Sequence, residues 1–419
     1  MTWMTMRLGP LAWLGALAAL MLAATASAQT PAGLRLERVV MIMRHGVRPP
    51  TKAQPMAVGV AKDPWPSWDV PPGYLTAHGA KAVALAGAYQ RDALSRRGLF
   101  DAKTCPAAGT VSLAADSDER TIKTAEAFAA SFAPGCGLSV AHRPQDEPDP
   151  VYHPFDAGVG HPLDAAVGAR AVQARLGSGG LAAKTAAHRD LLARLQAVYG
   201  CCAPPICDRY GAKTPCSFSD LPTTLAEGGE KPAMQGALDL ASTAAQILVL
   251  EYAEGKPMSD VGWGRASKAD IVALAAFHPL EYDIVARPPA VARAGAAPFL
   301  AAIEQAFARD GAKLTLMVAH DTNIAHIGGA LDLHWKAGDF PADDPSPGGA
   351  LVFEQLRDAA GARYVQVRYV AQTLDQLREL RPLDAAHPPA EQTLKLPGCA
   401  TLCPAAQFKA ILAAARPAG

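Results

Sequence analysis

Val39-Val40-Met41-Ile42-Met43 runs without a break into Arg44-His45-Gly46-Val47-Arg48-Pro49-Pro50-Thr51-Lys52. The first five residues are continuously apolar and β-rich, the pattern of a strand inside a parallel sheet covered on both faces. Two further segments share the design. Thr110-Val111-Ser112-Leu113-Ala114 meets Asp116-Ser117-Asp118-Glu119-Arg120 and then an amphipathic stretch from Thr121 to Phe132. Leu314-Thr315-Leu316-Met317-Val318-Ala319 meets His320-Asp321-Thr322-Asn323. Open α/β sheets bind ligands in the crevice beyond the carboxyl ends of their strands. The three polar clusters are therefore expected to face one crevice of an α/β protein with a Rossmann-like, mainly parallel sheet core.

Working outward, the pattern turns helical between about residue 161 and residue 284, with alanine- and leucine-rich stretches at Leu181–Val198, Met234–Ala253 and Ala266–Ala276. The α/β pattern resumes at Leu314, and Leu351–Phe353 and Tyr364–Tyr369 read as late strands. The organisation predicted is a core in two parts, 29–160 and 285–419, with a helical insertion at 161–284 closing over the crevice. Gly177-Ser178-Gly179-Gly180-Leu181-Ala182 resembles a degenerate dinucleotide loop, but the stretch before it is helical rather than strand-like, so it reads as a turn between helices.

Residues 1–28 carry one charged side chain, Arg7, then the apolar run Leu11–Leu22 and the small-residue Ala26-Ser27-Ala28. That is a secretory signal peptide, with cleavage expected after Ala28. The apolar run is shorter than the roughly 20 residues that span a bilayer. A periplasmic or secreted chain with no membrane contact after cleavage follows. The 39 basic and 39 acidic side chains balance, without a basic tail or an acidic block, which argues against a nucleic-acid partner and leaves any anion preference local. A monomer is expected.

All eight cysteines follow the leader, and an even count in an exported chain reads first as disulfides. Short loops favour Cys207–Cys216 and Cys399–Cys403, and Cys105 and Cys136 flank one strand-helix unit. Cys201 and Cys202 remain, and as neighbours they bridge each other only through a strained ring. Zinc is the competing reading of Cys399 and Cys403, but no further Cys or His pair completes a four-ligand set.

The crevice inventory is Arg44, Arg48, Arg120, His45, His320 and Asp321, with Lys52 four residues beyond Arg48. Arginine's planar fork matches phosphate oxygens, and three of them converging call for a dense anion. A neutral histidine is a nucleophile, and the arginines around His45 disfavour its protonated form. The same cations can take the place of Mg²⁺ on the transferring phosphoryl group, so no metal or other cofactor is expected. His320 is read as a further phosphate donor and Asp321 as the general acid. The arginines lower the proton affinity of Asp321, whereas a bound phosphate dianion reverses that field. Asp321 is therefore expected to act as an acid in the substrate complex. His142, His153, His161 and His188 have no ligand spacing and read as surface or structural.

Arg44-His45-Gly46-Val47-Arg48-Pro49-Pro50-Thr51, Asp118-Glu119-Arg120-Thr121, Gly262-Trp263-Gly264-Arg265 and His320-Asp321-Thr322-Asn323 resemble the histidine acid phosphatase family, in particular its bacterial periplasmic phytases. The resemblance spans nearly the whole mature chain. It implies a histidine phosphatase fold, a phosphohistidine intermediate and a pocket that uses the residues matching Thr51 and Lys52. It also implies an acidic residue where Gln246 stands, and a bridge from the helical part to a cysteine near the chain end, although none follows Cys403. The activity implied is hydrolysis of phytate, myo-inositol hexakisphosphate. The alternatives are a sugar-phosphate phosphatase such as a glucose-1-phosphatase and a non-catalytic periplasmic phosphate-binding protein. His45 and Asp321 argue against the last, since a receptor needs neither nucleophile nor acid.

Overall fold

The computed structural model describes residues 30–417 apart from 157, 161–162, 227–228 and 309–311. The leader and His161 lie outside the described residues. In chain order, β1 (Leu34–Arg44), α1 (Ala77–Arg96), β2 (Val111–Ala115) and α2 (Glu119–Phe132) come first. A helical stretch follows: α3 (Ala165–Leu176), α4 (Gly180–Ala187), α5 (Arg189–Tyr199), α6 (Pro204–Arg209), the hairpin β3 (Thr224–Leu225) and β4 (Met234–Gln235), α7 (Ala237–Ala253), α8 (Lys268–Leu274) and α9 (Phe277–Val285). Then come α10 (Pro289–Ala308), β5 (Leu314–Ala319), α11 (Asp321–Ala330), β6 (Ala350–Asp358), β7 (Arg363–Ala371), α12 (Leu374–Glu379), β8 (Ala390–Leu394), β9 (Cys403–Pro404) and α13 (Ala405–Ala414).

The main sheet has the order β2-β5-β1-β6-β7-β8, with β9 also on β7. The three strands whose ends carry the polar clusters are adjacent and parallel, as expected. The later strands pair antiparallel, because the tight β6–β7 connection can only reverse the chain. The continuous apolar run of β1 is explained by its burial on both faces. Val40 and Ile42 enter one core cluster with β6 and β7 residues, α10 and α13, while Val39, Met41 and Met43 enter another with α2. A third cluster holds the helical stretch together around α5, α7 and α8 and takes in Val47 from the loop after β1.

Register is what makes the site. Arg44 pairs with Ala319, and Ala115 with Val318, so three strands end almost level. The next residues continue the ladder: His45 N–H donates to the Ala319 carbonyl at 3.0 Å and Asp116 N–H to that of Val318 at 3.1 Å. His45, His320 and Asp116 therefore emerge side by side.

The expected bridges Cys105–Cys136, Cys207–Cys216 and Cys399–Cys403 are present, and Cys201 is bonded to Cys202 across a cis peptide. All eight cysteines are thus used as disulfides, which leaves no thiolate for zinc. Gly177–Gly179 is a short turn between α3 and α4, as read. Among the described residues no helix is long and apolar enough to cross a membrane.

Candidate active site

Arg44 ends β1 and is buried. Its Nη1 donates to the Pro345 carbonyl at 2.7 Å, its Nη2 to Gln246 Oε1 at 3.1 Å, and Nη2 also pairs with Asp321 Oδ2 at 2.7 Å. His45 is buried beside it, with Nδ1 2.9 Å from the Gly46 carbonyl. A carbonyl only accepts, so Nδ1 carries the proton and Nε2 keeps its lone pair. Arg48 Nε lies 3.4 Å from that Nε2, as a donor facing a lone pair should. Gly46 has no freedom to be larger, because a Cβ would stand 2.9 Å from both Leu75 and Val83. Burial, then Arg48, Arg120 and Arg44, hold His45 well below the usual imidazole range.

Arg48 donates to the Pro49 carbonyl at 2.9 Å. Burial and the neighbouring Arg120 and Arg44 pull its proton affinity down to about 9, so it stays a cation at acid pH. Arg120, in the first turn of α2, pairs with Asp118 at 2.5 Å and reaches His320 Nδ1 at 3.4 Å. His320 caps α11, and its ring stands edge-on to His45 with centroids 5.7 Å apart. Asp321 opens α11, with Oδ1 accepting the Thr322 N–H at 2.8 Å. Burial alone would raise its proton affinity, but Arg44 and His278 outweigh burial and hold the carboxyl well below its usual range.

The structure thus brings together six of the residues singled out from sequence. His45, Arg48, Arg120, His320 and Asp321 line one cavity of about 190 Å³, and Arg44, itself not among the lining residues, pairs with Asp321. Thr51 and Lys52 are exposed on the loop beyond and are not among the lining residues. Lys231 and His153 line the cavity instead.

Of the histidines read as surface or structural, His153 is half-buried and reaches the site. Its Nε2 is 2.8 Å from Asp116 Oδ2, which also takes His320 Nε2 at 2.5 Å. Burial would raise the Asp116 proton affinity, yet these two hydrogen bonds lower it, and the bond to Asp116 raises that of His153. His142 and His188 fit that reading: in each, Nδ1 bonds a nearby backbone carbonyl, and His188 also packs against Phe277. The sequence places Asp116 in a strand-end cluster without assigning it a role, and its position after β2 is the signal for one. His278 and Asp344 had no sequence signal at all. His278 Nδ1 is 2.7 Å from Asp344 Oδ1, and its Nε2 is 3.7 Å from Asp321 Oδ2.

Asp116, Asp118, His153 and His320 place four potential ligand atoms within 4.8 Å of one another, the set best able to hold a cation among the described residues. Both histidines donate to Asp116 Oδ2 and Arg120 pairs with Asp118, while Asp116 Oδ1 is buried without a hydrogen-bond partner among the described residues.

A strand-end histidine with a free nitrogen, three converging guanidiniums and a carboxyl on the far side make a site for attack on a phosphate ester. The chain belongs to the histidine phosphatase superfamily (branch 2), whose sequence pattern matches residues 35–162 and 268–370. It is 38% identical to the phytase AppA of Escherichia coli (strain K12) over 94% of both chains. It is 31% identical to the glucose-1-phosphatase of Salmonella typhimurium, covering 94% of this chain and 96% of that one. Among solved structures, the Hafnia alvei phytase in complex with myo-inositol hexakis sulphate superimposes with a TM-score of 0.85 at 34% identity, covering 93% of this chain and 98% of that one.

Proposed function

We propose that this chain is a periplasmic or secreted phosphomonoesterase that hydrolyses phytate through phospho-His45, acting as a monomer without nucleic-acid or membrane partners. The observation that carries the reading is the bond from His45 Nδ1 to the Gly46 carbonyl, which leaves Nε2 as a lone pair among three arginines. In the first step Nε2 attacks phosphorus, and the P–O bond breaks with its electron pair on the leaving oxygen. Arg44, Arg48, Arg120 and His320 hold the phosphoryl oxygens, supplying charge that metal ions supply elsewhere. Asp321 gives its proton to the leaving oxygen. In the second step water attacks phosphorus as the P–Nε2 bond breaks with its electron pair returning to His45, and Asp321 takes the proton that the water loses.

A substrate with several phosphates fits the walls, since Lys231 and His153 add cationic groups beyond those one phosphate needs. Thr51 and Lys52 are assigned to outer phosphates. The helical part, 161–284, is read as an insertion over the crevice between the core parts 29–160 and 285–419. It reaches the site through Gln246 of α7 and His278 of α9.

Acid quench with labelled substrate should trap label on histidine, and His45→Ala should abolish turnover with the fold retained. More than a few per cent residual activity overturns the assignment. The glucose-1-phosphatase relatives supply the competing substrate. Faster release of phosphate from glucose 1-phosphate than from phytate would transfer the reading to it.

A further inference from the structure

Asp321 is a poor proton store as it stands. Its Oδ2 is ion-paired with Arg44 at 2.7 Å, and an acid that starts as a carboxylate needs a proton from somewhere. The second group aimed at the same oxygen is His278 of α9, buried, with Nε2 3.7 Å away. The far side of the imidazole is fixed by Asp344, fully buried in the loop before β6, at 2.7 Å from Nδ1. Asp344 Oδ2 has no hydrogen-bond partner, so this carboxylate spends its charge mainly on His278. The line Asp344–His278–Asp321 ends at the cavity that holds His45.

We propose that His278 is the positioning residue that loads Asp321 with its proton, and that Asp344 keeps His278 protonated for this purpose. The inference rests on the reading of Asp321 as the general acid. When a phosphate dianion enters, it neutralises Arg44 and draws positive charge toward the cavity. The His278 Nε2–H bond breaks and an Asp321 Oδ2–H bond forms. That proton then passes to the leaving oxygen as the P–O bond breaks. In the second half-reaction the attacking water gives a proton to Asp321, and Asp321 returns it to Nε2. The alcohol product then carries the proton that His278 held, the water proton has taken its place on Nε2, and the dyad is restored.

The charges around His278 are consistent with a stored proton. Arg44 from β1 opposes it, as does burial, while Asp344 and Asp321 outweigh both and raise its proton affinity. On its own helix, burial pushes Glu281 up to about 7, so in acid solution it adds little charge beside His278. The Tyr282 ring packs edge-on at 4.7 Å, its hydroxyl kept protonated by burial.

The test compares single-turnover phosphorylation by phytate, whose alkoxide must be protonated, with that by p-nitrophenyl phosphate, whose phenolate leaves unaided. His278→Gln keeps a donor toward Asp344 but carries no transferable proton. Its loss on phytate should exceed its loss on p-nitrophenyl phosphate by about tenfold or more, without a matching rise in KM. Equal losses would make His278 a packing residue and overturn the proposal. Asp344→Asn keeps the shape and serves should His278→Gln fail to fold. It should move the basic limb of the phytate pH profile to lower pH, and a limb that stays in place also overturns the proposal. Asp321→Asn run beside them separates the two levels. If it shows the leaving-group dependence and neither His278→Gln nor Asp344→Asn has an effect, only the loading role fails; if it does not, the general-acid reading fails first.

Discussion

Asp321 Oδ2 and Arg44 Nη2 lie 2.7 Å apart, a contact that ties the end of β1 to the start of α11. Arg44 is buried and Asp321 nearly so, and charges paired in such a place interact far more strongly than in water. The free enzyme therefore holds Asp321 ionised and Arg44 engaged. On the reading proposed above, a phosphate dianion would compete for Arg44 and release the carboxylate to bind a proton.

Replacing Asp321 by Asn keeps the shape and removes the proton. General-acid help is typically worth about 10²–10⁴-fold. We expect Asp321→Asn to damage phytate hydrolysis much more than p-nitrophenyl phosphate hydrolysis wherever phosphoenzyme formation limits the rate. Single-turnover phosphorylation checks this, and equal losses would leave Asp321 as a group that merely orients Arg44.

A second expectation concerns acid pH. His45 must be neutral to attack, and burial, then Arg48, Arg120 and Arg44, keep it neutral well below the ordinary histidine range. Activity should therefore persist well below pH 6.5, about where a free histidine titrates. Arg48→Gln removes the second of these causes, so the acid limb of kcat/KM should move to higher pH while overall activity falls. A limb that does not move would show that burial alone sets it.

How far the sequence could be read depends on where each group's information lies. The strand ends were legible because an apolar run buried on both faces and then broken by charge has one physical meaning in an α/β chain. Arg44, His45, Arg120, His320 and Asp321 followed from that. The antiparallel half of the sheet was not legible, because the same apolar strands serve either pairing and only the turn decides. His153, His278 and Asp344 were missed for a different reason: each sits on a loop or helix with no local pattern, and only tertiary packing brings it to Asp116 or Asp321. The Cys201–Cys202 bond was left open because elimination and ring strain point in opposite directions.

The metal expectation is testable without mutation. Three arginines supply the positive charge at the phosphoryl group, so activity should survive EDTA after dialysis. Loss of activity that Mg²⁺ or Zn²⁺ restores would turn attention to Asp116, Asp118, His153 and His320, whose donors are close enough to hold an ion.

The last expectation concerns stability and pH, and it centres on Glu251. This carboxyl is buried in α7 and accepts the Gly262 N–H at 3.0 Å, a bond that fixes the Gly262-Trp263 turn. Burial pushes its proton affinity up to about 7, against partial opposition from Gly262 and Lys256. Glu281 behaves alike at about 7 and Asp239 at about 6. A group raised in the folded state contributes its stability in full below its unfolded value and loses it as pH rises through the folded value. For Glu251 that difference corresponds to about 3 kcal/mol. Glu354 works in the opposite sense: Arg368 and Arg97 outweigh its burial and pull it down to about 2, so its contribution is present above the unfolded value and lost on acidification. The Glu251 contribution should therefore decline between its ordinary value of 4.5 and about 7. His326 opposes it over much of that range, since burial pulls its proton affinity down to about 3 and its contribution grows as pH rises toward its ordinary value of 6.5. Thermal midpoints of the wild type and a Glu251 variant, compared across that range, check the sign, since the difference between them removes the histidine contributions common to both. Glu251→Gln keeps the acceptor for Gly262 without a titrating group. It should flatten the neutral-side decline while changing the acid-side midpoint little, and a decline as steep as in the wild type would remove Glu251 from its cause.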